Sequence, residues 1–536
     1  MREGARAQHF PMDGDTLNFT SVCFSFPWQA KAVRYTVLLT DGVEPGVPAR
    51  YAGVGNKIVV NGLKSGHSYV WTVVSESEKG EVLETSPARR FFVAPYTNRI
   101  RYLFGVNDKE NRTNDLLIMD YTHSAIDRDG QTVWYLPGLI PSANIRDLKM
   151  TDDGTVTAIL DSNALEMDLR GHILWKAPDD GRVSRGRREN YHHTFTKLST
   201  GNYLVLGSEF CRYRLPGQTD SISVEMGTVI EYSPDKTIRW VWHARDFFKP
   251  EWIPFRRRYD GQYSASLHLN AVSTDGVYIY AGFRDMGWIV KIDKAGKNVV
   301  ALYGGQDSKE PYHYAQRLFR YQHDVFLLRD GSIGVVNNDS VADPAVVSGV
   351  VVFSQGKTGT PIGTKLFEFP FNYSGTIDGK SPKLGNLTEL PNGNLLVNMG
   401  AINRVFEVTR DKKVVWEVRV DQFDAFKNVW QFFPQYRVAP VSSLYPNEFC
   451  LKVENAEWSN GAWQATCFLV NVGSETNAYT FWAENETTRT EVAHTSVLAP
   501  GQSLRQKIRI PKRPNGPYTA LVVQVTGKSK KERVDL

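Results

Sequence analysis

Short runs of Val, Ile, Leu, Tyr and Trp alternate with Gly, Asn and Asp turns along nearly the whole chain, and no long stretch carries the 3.6-residue period of an amphipathic helix. The pattern predicts an all-β protein. From about residue 96 to 445 it repeats with an uneven period of roughly 45–75 residues, the length of a four-stranded unit. Two half-patterns recur. One is a tight turn followed by an apolar strand: Thr151-Asp-Asp-Gly-Thr-Val-Thr-Ala-Ile, Ser199-Thr-Gly-Asn-Tyr-Leu-Val-Leu, Asp275-Gly-Val-Tyr-Ile-Tyr, Asp330-Gly-Ser-Ile-Gly-Val-Val and Pro391-Asn-Gly-Asn-Leu-Leu-Val. The other is a hairpin ending on a bulky aromatic, clear at Trp134, Trp175, Trp240 and Trp416 and weaker near Tyr303 and Phe367. The first half-pattern has one copy fewer than the second. The segment Tyr436-Arg-Val-Ala-Pro-Val-Ser-Ser-Leu-Tyr-Pro446 is placed to supply the missing strand. The count predicts a six-bladed β-propeller over residues 96–446, with seven blades as the alternative.

The flanks read as sandwiches. In residues 1–95, Arg34-Tyr-Thr-Val-Leu-Leu alternates, and Gly62-Leu-Lys-Ser-Gly-His-Ser-Tyr-Val-Trp-Thr-Val sets Tyr69, Trp71 and Val73 on one strand face after a leucine and a small turn. That corner resembles the fibronectin type III sandwich. Residues 447–536, with strands around Phe449-Cys-Leu-Lys-Val, Trp463-Gln-Ala-Thr-Cys-Phe-Leu-Val and Tyr518-Thr-Ala-Leu-Val-Val-Gln-Val, fit a second small β-sandwich.

Composition narrows the function without naming it. At 536 residues, 41% hydrophobic and 23% charged, the chain is expected to be soluble, with two to four domains. No apolar run is long enough for a transmembrane helix, and the start, Met1-Arg-Glu-Gly-Ala-Arg, has no signal-like apolar segment. A net charge of +5 is mild and points to neither nucleic acid nor membrane as a partner. The basic clusters are Arg256-Arg257-Arg258 and the tail from Lys528 to Arg533; the triplet suits an anionic substrate and a solvated loop equally well. Of the four cysteines, Cys450 and Cys467 could bridge neighbouring strands, while Cys23 and Cys211 read as unpaired.

The chemistry is carried by histidines in a shared register. His193-Thr-Phe-Thr-Lys-Leu-Ser-Thr-Gly201, His268-Leu-Asn-Ala-Val-Ser-Thr-Asp-Gly276 and His323-Asp-Val-Phe-Leu-Leu-Arg-Asp-Gly331 each place a histidine the same distance before a turn glycine, and the chain has only 11 histidines. The same step gives Arg146 and Gly385 in the other units. Inner propeller strands run along the central channel, so one position per blade forms a ring around it. A ring of Arg and His is too costly to bury without purpose. Asn270 lies two residues after His268 and is expected on the same strand face. Arg284 ends the next strand, and Tyr312, His313 and Tyr314 lie on an expected loop over the channel mouth. Any one of these residues alone reads as structural: a satisfied core histidine, or a surface ion pair for Arg284. It is the shared register that singles them out.

These residues also carry a resemblance. His268-x-Asn270, an arginine in Gly282-Phe-Arg284, Ile292-Asp293 before a turn, Leu302-Tyr-Gly-Gly305, Gln322-His323-Asp324, the Asp330-Gly turn, Tyr436-Arg437 and Ser443-Leu-Tyr-Pro446 resemble, in order and spacing, the bacterial aryl-sulfate sulfotransferases that use no nucleotide sulfate donor. The double histidine His192-His193 matches that family's first histidine motif. The resemblance implies a six-bladed propeller and a ping-pong reaction between an aryl sulfate donor and a phenolic acceptor through a sulfated histidine. His323 would be the nucleophile, and His193, His268, Asn270 and Arg284 would hold the sulfuryl oxygens. Arg146, His192, Tyr312 and Tyr314 join them as expected substrate contacts. No metal or organic cofactor is required, and a periplasmic or secreted location is implied. The chain departs from the family at Asn337-Asn338-Asp339 and at Gly385, where a hydroxyl is expected and Ser381 or Lys383 could substitute. It also lacks the family's cysteine pair near the nucleophile segment.

Other chemistries fit the same ring. A polysaccharide lyase needs His or Tyr as acid and base and a cation for the uronate carboxylate, so an acidic glycan is the alternative substrate. Three histidines could also chelate a divalent ion, although neighbouring arginines oppose that, and a propeller can serve binding alone. Natural substrates and self-association stay open at this level.

Overall fold

The computed structural model describes residues 9–138, 144–214, 221–253, 255–257, 263–304, 318–339, 345–356, 363–485, 488–511 and 518–535. Among them there are strands and short 3-10 turns and no α-helix, so the chain is all-β. Six sheets of four or more strands occupy residues 100–441, antiparallel except where Tyr263–Ser266 joins Ser221–Tyr232 in parallel. The second is Ile145–Met150, Val156–Leu160, Asn163–Met167 and Ile173–Lys176. The third begins Tyr191–Lys197, Tyr203–Arg214, Ser221–Tyr232 and Ile238–His243 and is extended by Tyr263–Ser266 and Phe255–Arg257. The fourth is Leu269–Thr274, Tyr278–Phe283, Trp288–Asp293 and Val299–Gly304, and the fifth His323–Leu327, Ile333–Asn337, Gly349–Phe353 and Lys365–Pro370. The sixth is Asn386–Glu389, Leu395–Asn398, Arg404–Val408 and Val414–Asp424, with Ile100–Asn107 and Val429–Phe432 on its outer side.

The first sheet is built from both ends of this region. Leu116–Met119, Ser124–Ile126 and Thr132–Tyr135 are joined by Val438–Val441, with Leu116 opposite Val441 and Met119 opposite Val438. The strand missing from the sequence count is therefore supplied by the segment expected to supply it. The first strand of each sheet packs beside that of the next, from Ile145–Met150 through Tyr191–Lys197, Leu269–Thr274 and His323–Leu327 to Asn386–Glu389. Asn386–Glu389 and Ile145–Met150 both lie against Val438–Val441.

The six aromatic positions seen in the sequence all fall on fourth strands and are all buried. Five of them reach the next sheet. Trp134 Nε1 donates to Leu169 O at 2.7 Å, Trp175 to Pro234 O at 3.0 Å and Trp240 to Lys294 O at 2.8 Å; Tyr303 Oη donates to Gln355 O at 3.1 Å. Trp416 Nε1, on the sixth sheet, donates to Arg128 O of the first at 2.9 Å. Each latch buries a large ring and satisfies its polar hydrogen at once. Phe367, on the fifth sheet, has no donor and packs into the apolar cluster it shares with Phe406 and Val408 of the sixth.

The N-terminal part pairs Val22–Ser25 with Lys57–Val60 and sets Asp15–Leu17, Arg89–Val93, Ser68–Glu76, Arg34–Asp41 and Ala49–Gly53 in a second sheet around Phe24, Tyr35 and Trp71. Tyr69 Oη accepts the Lys64 N–H at 2.7 Å, tying the strand to its preceding turn. The C-terminal part has sheets of three and four strands around Phe449, Tyr479 and Val523. Lys57 joins the two ends, with ion pairs of 2.6 Å to Glu448 and to Glu532. All four cysteines are free thiols. Cys450 and Cys467 do lie on paired strands, but Cys450 faces Val470 and Cys467 faces Val453, so the pairing register holds them apart.

Candidate functional site

The inner strands are irregular where the histidines sit. Pairing shifts register between Arg146 and Lys149, Tyr191 and Phe195, Leu269 and Ala271, and His323 and Phe326. Asp147, His193, His268 and Asp324 have left-handed backbones, with φ of 55°, 61°, 52° and 63°. Such bulges and strained residues cost stability and re-aim side chains, here in four successive sheets at the same level. In the sixth sheet the same position is Gly385, at φ 102°, where a Cβ would meet Asn398 O at 2.8 Å. A side chain is excluded there. Ser381 does not stand in for one: its hydroxyl is buried, donates to Met399 O at 2.5 Å and accepts from Ala401 N at 3.2 Å. Lys383 is exposed.

The three histidines come together. His193 and His268 have ring centroids 5.5 Å apart, and the His193 ring also lies 6.0 Å from Tyr436. His192 Nδ1 is 2.7 Å from His193 Nδ1. One Nδ1 donates and the other accepts, so one of the two rings carries its proton on Nδ1. Arg146, His192, His193 and His268 line one cavity of about 320 Å³ between the third and fourth sheets. The Arg146 guanidinium stands 5.8 Å over the Tyr436 ring.

His323 is buried, and its Nδ1 is 2.7 Å from Asn338 Oδ1. The Asn338 amide nitrogen donates to Ser381 O at 2.6 Å, so the oxygen is the end turned to His323. The imidazole must donate from Nδ1, which leaves Nε2 unprotonated. Burial lowers the His323 pKa to about 3 against the pull of the Asn338 bond, with the charges of Arg284, His268 and Arg437 adding to the depression. Burial likewise brings His192 down to about 4 and His193 well below the ordinary range, with neighbouring imidazoles and Arg146 pushing the same way. His192, His193 and His323 are therefore neutral at physiological pH.

Arg284 bonds Asp285 Oδ1 at 2.8 Å and Pro382 O at 3.1 Å, and its guanidinium lies 5.3 Å over the Tyr321 ring. Its buried Nε has no partner. Asn270 is the extra residue of its bulge, so the two-residue step does not carry across from His268. Its amide nitrogen donates to Gln322 O at 2.8 Å, and its Oδ1 is buried without a partner. Tyr312, His313 and Tyr314 lie outside the described residues, as do Arg258 and the side chains of Arg256 and Arg257. Among the described residues no group of three or more His, Cys, Asp or Glu is placed to hold a metal ion.

Two residues without an assigned role prove central. Arg437, from the closing segment, bonds Asp147 Oδ1 at 3.0 Å, Thr194 Oγ1 at 3.0 Å and Asn270 O at 3.3 Å, and lies 3.9 Å from Asp324. It thus touches the second, third, fourth and fifth sheets. Asp120 caps the same segment, accepting the N–H groups of Tyr436 at 3.0 Å and Arg437 at 2.9 Å. The signal available in the sequence was the Tyr436-Arg437 pair and the asparagine run at 337–338.

Fold and site together define an all-β protein whose inner strands gather neutral imidazoles beside arginines. Residues 106–340 match the family described as arylsulfotransferase (ASST). No curated protein matches. Similar solved structures include a protein of unknown function from Bacteroides caccae (14% identity, 65% of this chain and 100% of that one, TM-score 0.37). Others are the hydrazine synthase of Kuenenia stuttgartiensis (11% identity, 56% and 99%, TM-score 0.31) and apo AztD from Citrobacter koseri (9% identity, 72% and 98%, TM-score 0.27).

Proposed function

We propose that this protein is an aryl-sulfate sulfotransferase that needs no nucleotide donor and moves a sulfuryl group to a phenol through a sulfated His323. The family match supports aryl sulfotransfer in general. The observation that carries the finer reading is the Asn338–His323 hydrogen bond, which holds a neutral imidazole with Nε2 free to attack. On this reading the six sheets are blades of a propeller over residues 96–446, supported by the outer latches and by the run of neighbouring inner strands. Residues 1–95 and 447–536 are flanking sandwiches, the first fibronectin-like. A periplasmic or secreted location goes with the resemblance.

In the first half-reaction the His323 Nε2 lone pair attacks sulfur, the S–O bond breaks, and the aryl group leaves as phenolate. Sulfuryl transfer, like phosphoryl transfer, has a loose transition state, so catalysis is mostly positioning and charge stabilisation. Arg284, Arg146, His268 and Asn270 are the donors assigned to the sulfuryl oxygens. In the second, the acceptor oxygen attacks sulfur, the S–N pair returns to His323, and the phenolic proton passes to His193 Nε2. His192 hydrogen-bonds His193 in addition to lining the cavity.

Intact-mass measurement with 4-nitrophenyl sulfate and no acceptor is expected to show one sulfuryl adduct, absent from His323→Asn. An unmodified wild-type protein, or an adduct that persists in His323→Asn, overturns the reading. Ultraviolet-absorbing product from an acidic polysaccharide would favour the lyase instead.

A further inference from the structure

Four carboxylates buried in these sheets are matched by cations: Glu166 by Lys197 at 2.9 Å, Glu231 by Lys294 at 2.6 Å, Glu407 by Arg128 at 3.0 Å and Glu209 by Arg245 at 2.6 Å. Glu225 is not. It sits on Ser221–Tyr232, lines the same cavity as His192, His193 and His268, and has no Lys or Arg ion-pair partner among the described residues. Two hydroxyls hold it instead. Ser208 Oγ donates to Oε1 at 2.6 Å and Ser266 Oγ to Oε2 at 3.3 Å, while Ser266 Oγ also accepts the His268 N–H at 2.9 Å. The carboxylate is thus fixed in direction, tied through Ser266 to the His268 backbone, and, among the described residues, faces the cavity with no Lys or Arg to match it. A partly buried carboxylate without a cation is costly, and the cost is relieved when a ligand brings the cation.

We propose that Glu225 is the anionic end of the acceptor subsite and selects phenols bearing an ammonium group. This rests on the sulfotransferase reading. At about 320 Å³ the cavity is at the small end of ligand sites, the size for one ring with a short aminoalkyl arm. Such an acceptor places its ammonium against Glu225 and its hydroxyl beside His193 Nε2.

The test uses three acceptors of similar size: 4-(2-aminoethyl)phenol, 4-ethylphenol and 3-(4-hydroxyphenyl)propanoate. The wild type is expected to favour the ammonium phenol over the neutral one by about tenfold in kcat/KM, with the carboxylate weakest. Glu225→Gln is expected to abolish that preference and Glu225→Asp to keep part of it. The ratio between acceptors within one variant is unaffected by a general loss of activity, and thermal unfolding checks that each variant folds. A wild type indifferent to the ammonium, or a Glu225→Gln variant that keeps the preference, overturns the proposal. Calorimetric binding of the same phenols separates it from the parent reading. Charge-selective binding lost in Glu225→Gln, with no sulfuryl transfer by the wild type, keeps the subsite and overturns the sulfotransferase. Equal binding of all three phenols overturns the subsite.

Discussion

Replacing Asn338 by leucine tests the step on which the chemistry turns. The substitution roughly keeps the volume and removes the only acceptor assigned to His323 Nδ1, 2.7 Å away. A buried N–H left without a partner costs about 1–3 kcal/mol. The imidazole avoids that cost by moving its proton to Nε2, the nitrogen that must attack. Returning to the reactive tautomer then adds up to the same amount to the barrier. At about 1.4 kcal/mol per factor of ten, the transfer step slows by about 5- to 150-fold. Asn338 is buried behind the ring, so KM for the donor is expected to change far less than the rate. The assay is the stopped-flow burst of 4-nitrophenol from 4-nitrophenyl sulfate without acceptor, with circular dichroism to confirm folding. A burst within about twofold of wild type would refute the tautomer argument, and a raised KM with an unchanged burst rate would move Asn338 to donor binding.

Two further expectations follow from the same buried polar centre. The burst rate should stay level from pH 8 down to about 5, because the depressed histidines shed their protons well below the usual 6.5 and the neutral form is the reactive one; a half-loss of rate near pH 6.5 contradicts this. Arg437→Met removes the cation beside buried Asp324 and leaves Asp147 with Lys149 alone, and should cost about 3–5 kcal/mol, read as a lower urea midpoint; a midpoint equal to wild type denies Arg437 its role in holding the sheets.

The parts that were legible in the sequence were those encoded locally. Trp134, Trp175, Trp240 and Trp416 marked fourth strands because a strand end, a turn and a large apolar ring recur at short range. The histidine register was legible because each histidine precedes its own turn glycine by a fixed step. What the sequence concealed is non-local or breaks the two-residue period. Asn270 was expected beside His268 by alternation, and the bulge at that residue cancels the step. Asn338 looked like a departure from a family pattern, yet it is the partner of His323. Its bond to Ser381 O, 43 positions on, fixes which end of the amide His323 meets. Arg437 could be seen in the closing segment, but its partners at Asp147 and Asn270 are 290 and 167 positions away. Cys450 and Cys467 were rightly placed on neighbouring strands, but register cannot be read from spacing alone.

Arg437 also explains how neutral histidines and buried carboxylates share one centre. Burial pushes Asp324 up and brings the histidines down, so without a cation every nearby group would drift to its uncharged form. The guanidinium opposes that drift: Asp147, Asp324 and Asp120 raise the pKa of Arg437 despite its burial, and its charge in turn pulls against the burial that keeps Asp324 raised. The same charge disfavours a proton on His323. One residue thus steadies the carboxylates beneath the site and adds to the burial that keeps His323 unprotonated. Lysine would supply the charge but not the planar fork, which meets Asp147 Oδ1 from one nitrogen and Thr194 Oγ1 and Asn270 O from another. Arg437 enters with the last segment of this region, beside the strand Val438–Val441 that completes the first sheet, so the segment that joins that sheet also carries the cation of the site.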